Sequence, residues 1–195
     1  MPYLSRVVIA AATAVLLAGC YSTTPDPQVS GRDAEWLAQV PKAEQDPIYA
    51  RYLMKDDTGE EPGTIVVDTR ARQLYYVLPG GKMMRYGVAV GNEAFGWTGT
   101  AVVQRKAEWP DWHPPAEMKQ RWPHVRDTKG GPGNPLGARA LYLYQNGRDT
   151  LYRIHGTNEP EKIGRAESSG CIRMRNIDVI DLYNRVQTGA KVIVR

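Results

Sequence analysis

The sequence is short of cysteine, histidine and phenylalanine. Its two cysteines, Cys20 and Cys171, are too few for a disulfide framework. Its three histidines, His113, His124 and His155, form no HxxxH pattern, and the cysteines form no CxxC, so no metal-ligand set is predicted. One phenylalanine stands beside 19 glycines and 14 prolines, a balance that favours many turns over long helices. Lysine and arginine are scattered without a run of five, and the net charge is only +4, which argues against a nucleic-acid partner. No apolar run reaches the ~20 residues that a membrane-spanning helix needs. What remains is 195 residues with 42% hydrophobic content, enough for one ordinary domain with some 40 to 60 residues to spare.

The spare length begins with an address. Arg6 precedes a run from Val7 to Ala18 that is apolar apart from Thr13, the length of a signal-peptide hydrophobic region. It ends in Leu17-Ala18-Gly19-Cys20, which resembles a bacterial lipobox. The resemblance implies a signal peptide over 1–19 and lipidation at Cys20. It implies an exported, periplasmic protein held to a membrane by its lipid anchor, and Tyr21 in place of the inner-membrane Asp implies the outer membrane. An ordinary signal peptide with Cys20 incidental is the competing reading. Residues 20–62 then read as a tether and N-terminal segment. The stretch 21–31 is polar and rich in Pro, Ser and Thr, 32–54 holds two short helices around Pro41, and 55–63 is a linker.

From Thr64 the pattern changes to strands, at 64–68, 73–78, 83–90, 100–108, 140–144, 151–154, 172–174 and 191–194. Between 109 and 137 lies a long Pro-rich excursion of the kind that is usually functional. Asn176 reads as an N-cap, with Ile177, Ile180, Tyr183 and Val186 on one face of a late helix and Gly189 as its stop. The fold class is therefore mainly β with one late helix.

Cys171 sits in Ser168-Ser169-Gly170-Cys171-Ile172-Arg173-Met174. A lone cysteine is often just a small buried hydrophobe. A free thiol in an exported protein is a liability without a use, however, and Gly170 permits close approach of a ligand. If the segment is extended, Cys171 and Arg173 share one face while Ile172 and Met174 turn to the core, and the cation favours the thiolate. His155 ends an apolar strand before Gly156, a position suited to a proton shuttle for that thiol, with Arg153 on the same face. His113 and His124 are read as surface residues of the excursion.

Ile154-His155-Gly156-Thr157 followed sixteen residues from His155 by Cys171 within Ser-Gly-Cys-Ile-Arg resembles the signature of the L,D-transpeptidase catalytic domain. Trp112-His113-Pro114-Pro115, Pro132-Gly133-Asn134-Pro135-Leu136-Gly137, Asp181-Leu182-Tyr183 and Gly189-Ala190-Lys191-Val192 resemble further marks of that family, so the likeness covers residues 63–195. It implies a β-sandwich or curved-barrel catalytic domain and no cofactor. It also implies peptidoglycan stem peptides as substrate. Cys171 is then the nucleophile and His155 the base. The Gly156 carbonyl orients the imidazole, and backbone N–H groups of Gly170 and Cys171 meet the oxyanion. Arg173, Arg153, Trp112 and Ser169 are implied substrate contacts, with Ser169 standing where the family more often has His. The acceptor is an amine of a second stem peptide or of a wall-attached lipoprotein. A hydrolase on the same scaffold and a non-catalytic wall-binding lipoprotein remain alternatives.

Overall fold

The computed structural model describes residues 22–91, 97–167 and 170–195. The signal segment, the lipidation position Cys20 and the contact position Ser169 lie outside the described residues. Ten strands form one sheet: β1 (Ser22–Thr23), β2 (Tyr52–Lys55), β3 (Ile65–Asp68), β4 (Gln73–Leu78), β5 (Lys82–Ala89), β6 (Gly99–Glu108), β7 (Arg139–Gln145), β8 (Arg148–His155), β9 (Ile172–Met174) and β10 (Lys191–Val194). Among the described residues three α-helices join them, α1 (Gly31–Leu37), α2 (Ala116–Arg121) and α3 (Asn176–Arg185), with 3₁₀ turns at Pro47–Tyr49 and Pro160–Lys162. The mainly β class matches the sequence reading.

The strand order β1-β2-β5-β4-β3-β10-β6-β7-β8-β9 closes on itself through a β5–β9 pairing, which makes the sheet barrel-like. Isoleucine, valine and tyrosine recur at the buried positions of these strands, residue types that pack well on a pleated surface. Ile65, Val67, Leu74, Val103, Leu141, Leu143, Ile154 and Met174 are fully enclosed in the core. The short β9 closes the ring. It lies parallel to β8 and antiparallel to the second half of β5.

The free edge of β5 is shared. Its second half takes β9, and its first half takes β2, with Tyr52 opposite Arg85 and Lys55 opposite Lys82. This corrects the second helix expected in 32–54. Ile48, Tyr49, Tyr52 and Leu53 do recur at helical spacing, but an open row of N–H and C=O groups on β5 outweighs that weak preference. Only a 3₁₀ turn at Pro47–Tyr49 remains helical there.

The flexible tether expected over 21–31 is also corrected for its described part. Ser22–Thr23 pairs with β2. The buried Arg51 guanidinium then holds the next residues, donating to Thr24 Oγ1 at 2.8 Å, the Pro25 carbonyl at 2.6 Å and Asp26 at 3.2 Å. Asp33 of α1 pairs with Arg139 at 2.5 Å and accepts from Trp109 Nε1 at 2.7 Å, while Trp36 meets Trp109 edge-on at 5.0 Å.

The excursion 109–137 is ordered from within. It contains α2 and an isolated bridge between Trp112 and Thr128. The Asn134 amide donates to the carbonyls of Pro110, Thr128 and Lys129, each at 3.0 Å. The late helix exists as expected, but Asn176 is not its N-cap. Arg175 takes that position, and Asn176 opens the helix with its side chain buried elsewhere. The helix stops at Val186, ahead of Gly189, and its most enclosed apolar residues are Val179, Ile180, Leu182 and Val186.

Candidate active site

His155 is the last residue of β8, and β9 runs beside it in parallel. Register sets Ile154 opposite Ile172 and His155 opposite Arg173. Side chains alternate along a strand, so Ile154, Ile172 and Met174 point into the core. His155, Arg173, Arg153 and Cys171 therefore share the other face. The sequence-predicted quartet is thus brought together by a register of two short strands.

Continuing across the sheet gives two rows. Ala107, Ala140, His155 and Arg173 lie opposite one another on β6, β7, β8 and β9. The adjacent row holds Arg105, Tyr142 and Arg153, and the β8–β9 register extends it to Cys171. The histidine row is flanked by small alanines, while the cysteine row is flanked by large side chains.

The imidazole is fixed by its own chain. Nδ1 of His155 lies 2.6 Å from the Gly156 carbonyl oxygen. A carbonyl can only accept, so the proton sits on Nδ1 and Nε2 is left bare. The turn after His155 is clamped by Asn176. Its Oδ1 accepts from the N–H groups of Ala138 at 2.9 Å and Thr157 at 3.1 Å, and its Nδ2 donates to the Thr157 carbonyl at 2.8 Å. A Cβ on Gly156 would sit 2.1 Å from that Oδ1, so only glycine fits there. Gly170, before Cys171, adopts φ +116°.

Burial dominates both titrating groups. It pushes His155 down to about 3, helped by the positive field of Arg173 and opposed by the Gly156 carbonyl. Burial also pushes the Cys171 thiol up, against the Arg153 backbone N–H and the guanidiniums of Arg153 and Arg173. The resting pair is therefore a neutral thiol and a neutral imidazole. The Cys171 Sγ also lies 3.9 Å from the Leu151 carbonyl oxygen.

The two arginines are already engaged. Arg173 pairs with Glu159 at 3.1 Å, and Glu159 holds Lys162 at 2.6 Å through its other oxygen. Arg153 forms a two-pronged pair with Asp149 at 2.6 and 2.8 Å. Trp112 sits in the excursion, bridged to Thr128. Sequence reasoning missed Asn176 in this role, and it missed Glu159 and Asp149. It also missed a bulge in β8, where residues 150–152 face Leu143 alone and Leu151 takes φ +63° with 63% exposure. Only the pairing of an acid four residues before Arg153 could have hinted at Asp149.

A family model described as the L,D-transpeptidase catalytic domain matches residues 62–194. A Fuscovulum blasticum protein that carries an L,D-transpeptidase name is 34% identical over 132 residues, covering 67% of this chain and 68% of its own. The Escherichia coli Probable L,D-transpeptidase YbiS is 35% identical over 150 residues, covering 72% of this chain and 46% of its own, so this chain spans about half of that relative's length. A solved Brucella melitensis structure described as a probable carnitine operon oxidoreductase is 46% identical with a TM-score of 0.53, covering 77% of this chain and 96% of that one. That description belongs to that protein. An L,D-transpeptidase from Mycobacterium smegmatis, 16% identical with a TM-score of 0.54 over 76% of this chain and 68% of its own, shares the fold. On the family model and the curated relatives together, the chain belongs to the L,D-transpeptidase catalytic domain family.

Proposed function

We propose that the protein is a peptidoglycan L,D-transpeptidase working through a cysteine acyl-enzyme. The observation that carries this is the β8–β9 register, which places Cys171, His155 and Arg173 on one face with the imidazole proton held on Nδ1. In the proposed reaction the bare Nε2 takes the Cys171 proton as Sγ attacks the carbonyl of the third residue of a donor stem peptide. Proton transfer at the moment of attack suits a pair that rests neutral. Backbone N–H groups at Gly170 and Cys171 meet the oxyanion, each donor worth on the order of 100-fold. Collapse breaks the amide bond, and His155 returns its proton to the departing D-alanine amine, leaving a thioester on Cys171.

An acceptor amine then attacks the thioester, loses its proton to His155 and restores the thiol as Cys171 leaves. The amine belongs to a second stem peptide, giving a 3-3 cross-link, or to a wall-attached lipoprotein. With Arg173 paired to Glu159, its contribution is a positive field at the site, and contact with a substrate carboxylate requires Glu159 to yield. The protein is proposed to be exported and lipidated at Cys20, probed by palmitate labelling that Cys20→Ala abolishes.

Incubation with a carbapenem followed by intact-protein mass spectrometry tests the nucleophile. A single adduct on the wild type and none on Cys171→Ala is expected. A folded wild-type protein without an adduct would overturn the assignment. Turnover of stem tetrapeptide with a labelled amine then identifies the acceptor. Label in the product supports transfer, and release of free tripeptide alone would make the protein a hydrolase.

A further inference from the structure

Among the described residues of the face that carries Cys171 is a cation, Arg105, with no part in the reaction above. Arg105 lies in the same cross-strand row as the cysteine, behind Tyr142 and Arg153. Its guanidinium carbon sits 3.4 Å from the Tyr142 ring centroid, and that of Arg153 sits 4.4 Å from the same centroid. One ring thus steadies two guanidiniums, an arrangement that fixes arginine without using its N–H groups.

The cations of this face differ in what those N–H groups do. Arg153 spends its donors on both oxygens of Asp149 and on the Tyr152 carbonyl. Arg173 is matched by Glu159. Asp149 lies close enough to Arg105 to be stabilised by it, but both of its oxygens are taken by Arg153. Among the described residues no carboxylate chelates Arg105, which is exposed, flat and oriented, with its rim of donors open. Such a guanidinium is suited to a carboxylate in two-pronged geometry.

Distance selects which carboxylate. Strands lie ~4.8 Å apart, so stacking over Tyr142 leaves the guanidinium about two strand spacings, roughly 10 Å, from the cysteine position. An extended residue spans at most about 3.6 Å. The carboxylate of the departing residue, one residue beyond the attacked carbonyl, is too near. On the retained side the second residue also lies one step from the attacked carbonyl, but a carboxylate at the end of its side branch reaches several bonds further and fits.

We propose that Arg105, held on Tyr142, is an anion subsite that binds a carboxylate of the donor peptide which stays on the acyl-enzyme. The proposal rests on the reading of Cys171 as the acylated nucleophile. It makes Arg105 a specificity-determining residue, acting on binding more than on chemistry.

The test uses the whole protein with two synthetic donors, a stem tetrapeptide bearing a free carboxylate on its second residue and the matching carboxamide. Cys171 acylation is followed by D-alanine release and mass spectrometry. The wild type is expected to prefer the acid by about tenfold in kcat/KM, mostly through KM, as loss of one charge-assisted contact implies. Arg105→Gln should erase that preference and treat both donors as the wild type treats the carboxamide, while Arg105→Lys retains part of it. An intact preference in Arg105→Gln, or none in the wild type, would overturn the subsite alone. Absence of acylation with either donor in a wild-type protein would overturn the enzymatic reading and the subsite with it.

Discussion

Two buried polar regions of this protein solve opposite problems. On the α3 side, carboxyls are enclosed among arginines, and burial still raises Asp178 above its ordinary value against Arg175 and Arg51. Asp178 has no exposed side-chain surface and takes Arg51 at 3.1 Å and Arg175 at 2.6 Å. Asp181 accepts from Tyr86 at 2.6 Å and pairs with Arg185 at 2.9 Å. Burial raises the Asp181 carboxyl, yet Arg185 and Tyr86 outweigh it and hold the group below its ordinary value. On the Cys171 side, His155 is enclosed without a carboxylate partner among the described residues, and its ring is met by a carbonyl instead. Burial there leaves both catalytic candidates as neutral groups. The first region locks strands, helix and N-terminal segment together. The second keeps a proton and a bare nitrogen ready to exchange.

The contrast can be broken most forcefully at Asp178. Asp178→Ala leaves Arg51 and Arg175 without their shared partner, and breaking such a buried pair costs ~3–5 kcal/mol. Urea denaturation should show that loss, while the acylation rate of the protein that remains folded stays near wild type. A large rate loss with unchanged stability would mean that the two regions are not separate.

The neutral pair makes a second prediction. Below the raised pKa of Cys171, thiolate increases about tenfold per pH unit, so alkylation by iodoacetamide should climb steadily from pH 6 through pH 8. His155 protonates only near 3, so it adds no limb in that range. A plateau already reached at pH 6 would indicate a preformed thiolate–imidazolium pair and sink this picture.

A mixed effect, on stability and on rate together, is expected where the regions touch. Asn176 begins α3 yet holds the turn behind His155. Asn176→Ala deprives two N–H groups and a carbonyl of their partner, a cost of about 1–3 kcal/mol for each that stays buried and unpaired. Loosening the imidazole should also slow acylation by roughly tenfold, read as kcat with KM little changed. Loss of stability without any change in kcat would confine Asn176 to structure.

The candidate catalytic face was legible because it depends on local alternation. Ile172 and Met174 inside with Cys171 and Arg173 outside follows from an extended chain alone, and the His155 strand end follows from the glycine after it. The residues that were not legible act through contacts distant in sequence. Asn176 looks like any helix-capping asparagine, since its partners at Ala138 and Thr157 are 38 and 19 positions away. The strand at Tyr52–Lys55 depends on a vacant half-edge of β5 that no local window contains. Glu159 meets Arg173 only because the chain between them returns alongside β8.

The pairing of Ser22–Thr23 with β2 also sets a length. A free stretch from residue 20 to residue 62 could trail the domain well away from a surface. With the strand starting at Ser22, and with the lipid proposed at Cys20, the leash is two residue steps, about 7 Å when extended. The barrel itself then becomes the spacer. On the proposed anchoring and activity, the Cys171 face would stay within about one domain's breadth of the membrane and reach only the wall strands that pass closest to the bilayer.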